Sequence, residues 1–175
     1  MEFFDVIAKR GSYRDSFIPQ TIPHEDLLKI VETGIRAPSG CNAQTTSFVI
    51  VDDPKLIRQI ADLMNKPLCR TASAMIVCVT EVRDVFQGME FCREDCAAAT
   101  ENLLLAITAL GYASVWLQGI LRLNDVAKKI GQLLNIPANR NVEVILPIGI
   151  PEKAVQQNSR LPFEKRVSFN QWGNQ

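Results

Sequence analysis

Between Asn102 and Leu121 the chain reads NLLLAITALGYASVWLQGIL, about twenty residues without a charge, close to the length that crosses a bilayer. Such a run is either a membrane span or a buried helix that passes directly into a buried strand. Gly111-Tyr112, followed by the β-favouring Ser114-Val115-Trp116, points to the second: a helix that stops at Gly111 and a strand that follows. A chain of 175 residues, 47% hydrophobic, has the material for one substantial core and is short for two ordinary domains. The expectation is a single domain, 1–175, built around a long buried central helix and not inserted in a membrane.

The elements can be read on either side of that run. Phe3, Phe4, Val6 and Ile7 recur at helical spacing and predict a short helix that delivers Arg10 to its end. Pro23, Glu25 and Asp26 suit the first turn of a second helix, Leu27, Leu28, Val31 and Ile35 form its apolar stripe, and Ala37-Pro38 stops it. Phe48–Val51 reads as a strand buried on both faces, and Asp53-Pro54 as the cap of a helix carrying Leu56, Ile57, Ile60 and Met64. Ala74–Val79 is the next strand. The central helix is predicted from about Gln87 to Leu110, and a strand from Ser114 to Leu117. Asn124-Asp125 suits a helix cap, and Val142–Ile148 a last strand ended by Pro151. From about residue 152 the chain has too few regularly spaced apolar residues to fold alone, and reads as a tail laid over the domain or a partner subunit.

Nineteen basic and nineteen acidic side chains balance, so no broad positive field exists for sequence-independent nucleic-acid binding, and any phosphate site must be local. Cys41, Cys69, Cys78, Cys92 and Cys96 form an odd set without a CxxC pair, as expected of reduced thiols in a cytoplasmic protein. Cys92 and Cys96 would share one helical face, where metal or redox pairing competes with simple packing. The N-terminal MEFFDVIAKR carries an acid where an export signal would be basic. His24 is the only histidine and sits in the first turn of a surface helix. That argues against a Cys/His nucleophile or a zinc hydrolase, and no metal site is expected. Neither GxGxxG nor GxxxxGK[ST] occurs.

Two short segments carry the chemistry. Arg10-Gly11-Ser12-Tyr13-Arg14 puts two guanidinium groups and a hydroxyl within five residues, which is either a phosphate clamp or a solvated basic turn. Ala37–Gln44, APSGCNAQ, offers a hydroxyl, an amide and close-approaching backbone, and is either a ligand loop or a plain turn between helix and strand.

The order of RGSYR, APSGCNAQ, an alanine-rich helix leading to LGYASVWLQG, ILPIGIP and SRLP resembles the nitroreductase family of FMN-dependent oxidoreductases. The resemblance implies an α+β, three-layer fold with a mostly antiparallel central sheet flanked by helices and a long buried central helix. It implies an FMN-dependent enzyme that passes reducing equivalents from NADH or NADPH to an electron-poor small molecule (a nitroaromatic, quinone or activated alkene) by ping-pong chemistry at flavin N5, with no side-chain catalytic base. A homodimer with flavin sites at the interface is also implied, the tail wrapping the partner. By the same resemblance Arg10, Gly11, Ser12 and Arg14 bind FMN, with Arg14 near N1, and Arg160 joins Arg10 at the phosphate. Pro38, Ser39, Gly40 and Asn42 complete the partner's site. Leu117, Gln118 and Gly119 run beside N5, and Asn65 supplies an amide. Two departures stand out: many relatives carry Pro-Trp where this chain has Thr45-Thr46, and Asn158 replaces a second basic residue near Arg160. These leave a flavin-binding or redox-sensing module with little turnover as the alternative.

Overall fold

The computed structural model describes residues 1–173. Five helices, α1 (Phe3–Lys9), α2 (His24–Ile35), α3 (Pro54–Met64), α4 (Cys92–Ala109) and α5 (Val126–Leu133), surround five strands, β1 (Phe17–Ile18), β2 (Thr46–Val51), β3 (Ala74–Glu81), β4 (Ala113–Ser114) and β5 (Arg140–Pro151). The strands lie in the order β1-β5-β3-β2 with β4 also on β5, and every pairing is antiparallel.

The charge-free run resolves as its punctuation suggests. α4 ends at Ala109, Gly111 takes the left-handed backbone that a side chain resists (φ 86°), and β4 begins two residues later. Among the described residues no helix is long and apolar enough to cross a membrane.

β3 explains the three layers. It is buried along almost its whole length. Met75, Val77 and Val79 face one core layer with Ile57, Ile60 and Met64 of α3 and Ile130 of α5. Ala74, Ile76 and Cys78 face the other with Leu27 and Ile30 of α2 and Leu103, Leu104 and Ile107 of α4. Alternation along a strand sends successive side chains to opposite faces, and each fully buried Leu or Ile contributes about 1.5–3 kcal/mol.

In β5 this alternation is interrupted. Val142 belongs to the first layer but Val144, Leu146 and Ile148 to the second. The register with β3 steps from Cys78↔Val144 to Val79↔Val142, so Glu143 stands opposite no residue, a β-bulge.

Several expectations need correction. α4 starts at Cys92 rather than Gln87, because Gln87 (φ 49°) and Gly88 (φ 82°) form a turn closed by pairing between Phe86 and Met89. The strand expected at 114–117 is only Ala113–Ser114. Beyond Ser114 the pairing resumes as an isolated bridge from Leu117 to Ile145, and the Trp116 indole N–H donates to Gln118 Oε1. β2 is half-buried rather than covered on both faces, since it pairs only with β3 at the sheet edge. Asp53 caps α3 as expected, accepting from Lys55 N–H at 2.7 Å, but Asp125 precedes α5 with left-handed backbone and its side chain caps nothing. α1 buries only Val6, while Phe3 and Phe4 remain 62% and 80% exposed in the single chain.

Candidate flavin site

The loop after α2 is held by a carboxylate that the sequence reading did not single out. Asp95, in the first turn of α4 and 4% exposed, accepts from Gly40 N–H at 2.8 Å and from the Thr45 hydroxyl at 2.6 Å. Thr45 occupies a place where Pro-Trp was expected, so the departure supplies an anchor. Ser39 Oγ accepts from Gln44 N–H at 3.1 Å, and the Arg83 guanidinium donates to the Ala43 carbonyl. Cys41 (φ 51°), Asn42 (φ 56°) and Gln44 (φ 53°) all adopt left-handed backbone, a conformation asparagine tolerates better than most residues. Gly40 packs so closely on Phe91 that a Cβ would lie 2.4 Å from the ring. Pro38 and Asn42 are exposed. The cavity beneath the loop, about 60 Å³, is far too small for a ring system, so within one chain the loop encloses no cofactor.

The basic segment lies on another side of α4. Arg10 pairs with Glu101 at 3.4 Å, six residues beyond Asp95, which is about 9 Å along the helix and about two-thirds of a turn around it. No hydrogen bond or ion pair joins the 37–44 loop to Arg10–Arg14 among the described residues. Ser12 bridges to Ser114 and Tyr13 N–H donates to the Ser114 carbonyl, which places the segment beside β4. The buried Ser114 Oγ there has no hydrogen-bond partner.

The two chain ends meet at this segment. Tyr13, 3% exposed, donates its hydroxyl to the Ser16 carbonyl and accepts from the N–H groups of Glu152 and Lys153 at 2.9 and 3.2 Å. Gln157 donates to the carbonyls of Ile7 and Arg10 at 3.0 and 2.9 Å. A Cβ on Gly11 would lie 2.7 Å from the Gln156 carbonyl, so the tail itself requires glycine there. Arg160 follows three residues later, its guanidinium resting on the Asn158 carbonyl at 2.7 Å. Arg14 donates to the Ser12 carbonyl at 3.4 Å. Neither Arg14 nor Arg160 pairs with a described carboxylate.

The third segment, Leu117–Gly119, is fixed by backbone bonds between Leu117 and Ile145 at 3.1 and 2.9 Å. The Gln118 carbonyl accepts from Leu121 N–H, whereas the N–H groups of Gln118 and Gly119 donate to no described group. A Cβ on Gly119 would meet nothing within 4 Å. Asn65 stands apart: it closes α3 with left-handed backbone on the exposed surface, a capping role, and no hydrogen bond links its side chain to the other candidates.

The donor set fits FMN. Arg160, free of any described carboxylate, suits a phosphate, Arg14 offers a second unpaired guanidinium for the ring, and two free N–H groups beside open space suit a heterocycle edge. Arg10 is engaged, but an ion pair this exposed is worth only about 0–1 kcal/mol and yields readily to a doubly charged phosphate.

Cys41 lies exposed in the 37–44 loop, and the other four thiols are buried. Cys96 neighbours Thr100 and Cys78 rather than Cys92. The neighbouring Cys96 thiol and burial push the Cys78 thiol up. No cluster of metal-ligating residues occurs among the described residues. Cavities of about 450 and 410 Å³, beside Arg58 and Ser73 and between α5 and β5, contain no candidate residue, whereas one of about 330 Å³ is lined by Gly11 with Tyr112, Ala113 and Val155.

Asp95 and Glu143 left a faint signal in the sequence. Asp95 shares a helical face with Cys92, Cys96 and Ala99, the one acid on an otherwise apolar stripe, and Glu143 is the one charge in Val142–Ile148.

Comparison with known proteins agrees with this architecture. The family model described as the Nitroreductase family matches residues 7–72 and 64–150. A protein of Archaeoglobus fulgidus that carries the name NADH dehydrogenase/NAD(P)H nitroreductase is 31% identical over 86% of this chain and 86% of its own length. An oxidized iodotyrosine deiodinase, solved with FMN and 3-iodo-L-tyrosine, superposes with a TM-score of 0.83 at 26% identity, covering 98% of this chain and 100% of the other. A Bacteroides thetaiotaomicron protein named for the same dehydrogenase and nitroreductase activities matches with a TM-score of 0.85 at 23% identity, covering 97% of each chain, a likeness of fold.

Proposed function

Because this chain belongs to the nitroreductase family, we propose that it is an FMN-dependent oxidoreductase that passes reducing equivalents from NAD(P)H to an electron-poor acceptor by a ping-pong mechanism. It works as a homodimer with a flavin site at each end of the interface. The observation that carries this reading is the convergence of the chain's two ends at Arg10–Arg14, with Arg14 and Arg160 left without carboxylates.

Bound FMN supplies a two-electron carrier that takes electrons from the nicotinamide at N5 and returns them to the acceptor. The residues hold and orient it. Arg10, Arg160 and the Ser12 hydroxyl would hold the phosphate, Arg14 would place positive charge near N1, and the free N–H groups at Gln118 and Gly119 would meet the ring edge near N5. Pro38, Ser39, Gly40 and Asn42 would close the partner's site, which explains a rigid loop that encloses nothing of its own. Asn65 is the weakest member, being spent on a helix cap. The homodimer is supported by apolar side chains the single chain leaves bare: Phe3 and Phe4 on α1, and Leu161, Phe163, Phe169 and Trp172 on the tail. Nitroaromatics, quinones and activated alkenes are the acceptor classes proposed.

The test is direct. Purified protein reconstituted with FMN is expected to be a yellow dimer that NADH or NADPH bleaches anaerobically and an acceptor restores. Arg10→Ala and Arg160→Ala should each weaken FMN binding by about tenfold or more, given about 1.5–3 kcal/mol for a charge-assisted hydrogen bond. Wild-type affinity in both variants would remove the site assignment. Protein that takes up no FMN would end the proposal, and yellow protein that neither nucleotide reduces would replace the enzyme with a redox-sensing module.

A further inference from the structure

The apolar run of β5 contains a single charge at Glu143, and the sheet makes room for it with an extra residue. Pairing with β3 passes from Val144 to Val142, leaving Glu143 opposite nothing. Bulges occur where a strand must re-aim a side chain, and here the side chain is a carboxylate only 14% exposed. It points at the turn after β4. Gln118 Nε2 donates to Glu143 Oε1 at 2.7 Å, while Gln118 Oε1 accepts from the Trp116 indole N–H at 3.3 Å. Both ends of the Gln118 carboxamide are therefore held by the chain itself.

That arrangement fixes what the turn can offer a ligand. The side chain of Gln118 is committed, its carbonyl is taken by Leu121, and the Gln118 and Gly119 N–H groups are left over. Two guanidinium groups attend the carboxylate, Arg122 Nη2 at 3.3 Å and Arg93 Nε at 3.9 Å. Both arginines are largely exposed, so water screens them, and the short bond from Gln118 is the side-chain anchor that adds to the backbone bonds between Leu117 and Ile145. Their charge offsets the cost of burying a carboxylate, which would otherwise favour an apolar residue at this point of the strand.

We infer that Glu143 is a positioning residue: it holds the Gln118 carboxamide so that the N–H groups of Gln118 and Gly119 face the flavin edge. The inference rests on the flavin site proposed above. It assigns a function to the bulge, which the packing of the two core layers does not require.

A charge swap tests it. Gln118→Glu sets two carboxylates against each other at the 2.7 Å contact, and FMN is expected to bind about tenfold more weakly, with the midpoint potential of the bound flavin displaced. Adding Glu143→Gln to that variant rebuilds the same hydrogen bond with its ends exchanged, and affinity and potential should return towards wild type. Glu143→Gln alone, whose amide oxygen still accepts from Gln118, should lose little. Gln118→Glu with wild-type affinity, or a double variant no better than Gln118→Glu alone, overturns the inference. Hydrogen exchange of residues 117–122 in the cofactor-free protein separates this from the flavin reading. Gln118→Glu should speed exchange there and the swap should slow it, even if the wild type proved to bind no FMN. Unchanged exchange in Gln118→Glu overturns the positioning role on its own.

Discussion

Gly40 has no room for a side chain. An added Cβ would lie 2.4 Å from Cδ2 and 2.9 Å from Cβ of Phe91, so Gly40→Ala must displace either the ring or the loop. Overpacking of this kind costs about 1–3 kcal/mol, a sizeable part of a total stability of about 5–15 kcal/mol. Thermal denaturation should show a lower midpoint for Gly40→Ala, the clash being relieved in Gly40→Ala with Phe91→Ala so that the two costs are less than additive, and an unchanged midpoint for Gly40→Ala would mean that the ring yields freely. The sequence marks this residue, since glycine in APSGCNAQ is a recognisable loop residue, but not its reason. Phe91 is fifty-one positions away and meets it only because α4 begins where it does. Tyr13 is similar: it lies inside the basic motif, yet its work is to receive two N–H groups from the other end of the chain.

Among the elements, α4 has the most to do. Its first turn supplies Asp95 to the loop, its middle supplies Glu101 to Arg10, and its buried face packs on the sheet. Asp95→Ala would strip the acceptor from Gly40 N–H and from the Thr45 hydroxyl and should cost about 3 kcal/mol or more in urea unfolding. Asp95→Asn, which keeps one acceptor oxygen, should cost distinctly less. If the alanine variant unfolds at the wild-type midpoint, the carboxylate does not hold the loop. Helices and strands were mostly legible because they are written in local spacing: the Asp53-Pro54 cap and the stop at Gly111 stand where their residues suggest, although the buried face of α2 is Leu27, Ile30 and Gly34, with Leu28 and Ile35 of the expected stripe turned outward. What escaped was non-local. Asp95 holds Gly40 and Thr45 from 55 and 50 positions away, and Glu143 accepts from the Gln118 side chain from 25 positions away. Val142 and Val144 read as one face of a strand, and only the pairing with β3 reveals that they serve different layers.

At the scale of the molecule, both ends of the chain converge, and the last residues carry apolar side chains with nothing in the single chain to cover them. A chain ended after Gln157 keeps the core and the contacts to Tyr13, Ile7 and Arg10, and loses Arg160 with Leu161, Phe163, Phe169 and Trp172. It should remain folded by circular dichroism, sediment as a smaller species and bind FMN weakly. A truncated chain that dimerises and takes up FMN like the whole protein would show that the tail serves neither. The bulge in β5 has a consequence of another kind. Because Cys78 and Val79 already face Val144 and Val142, excising Glu143 would join those two valines in an unbroken ladder, each still in its own layer. Glu143 is thus a codon that the sheet can spare. Its removal would leave both core layers in place and release the Gln118 side chain, so the residue bears on the turn and not on the sheet.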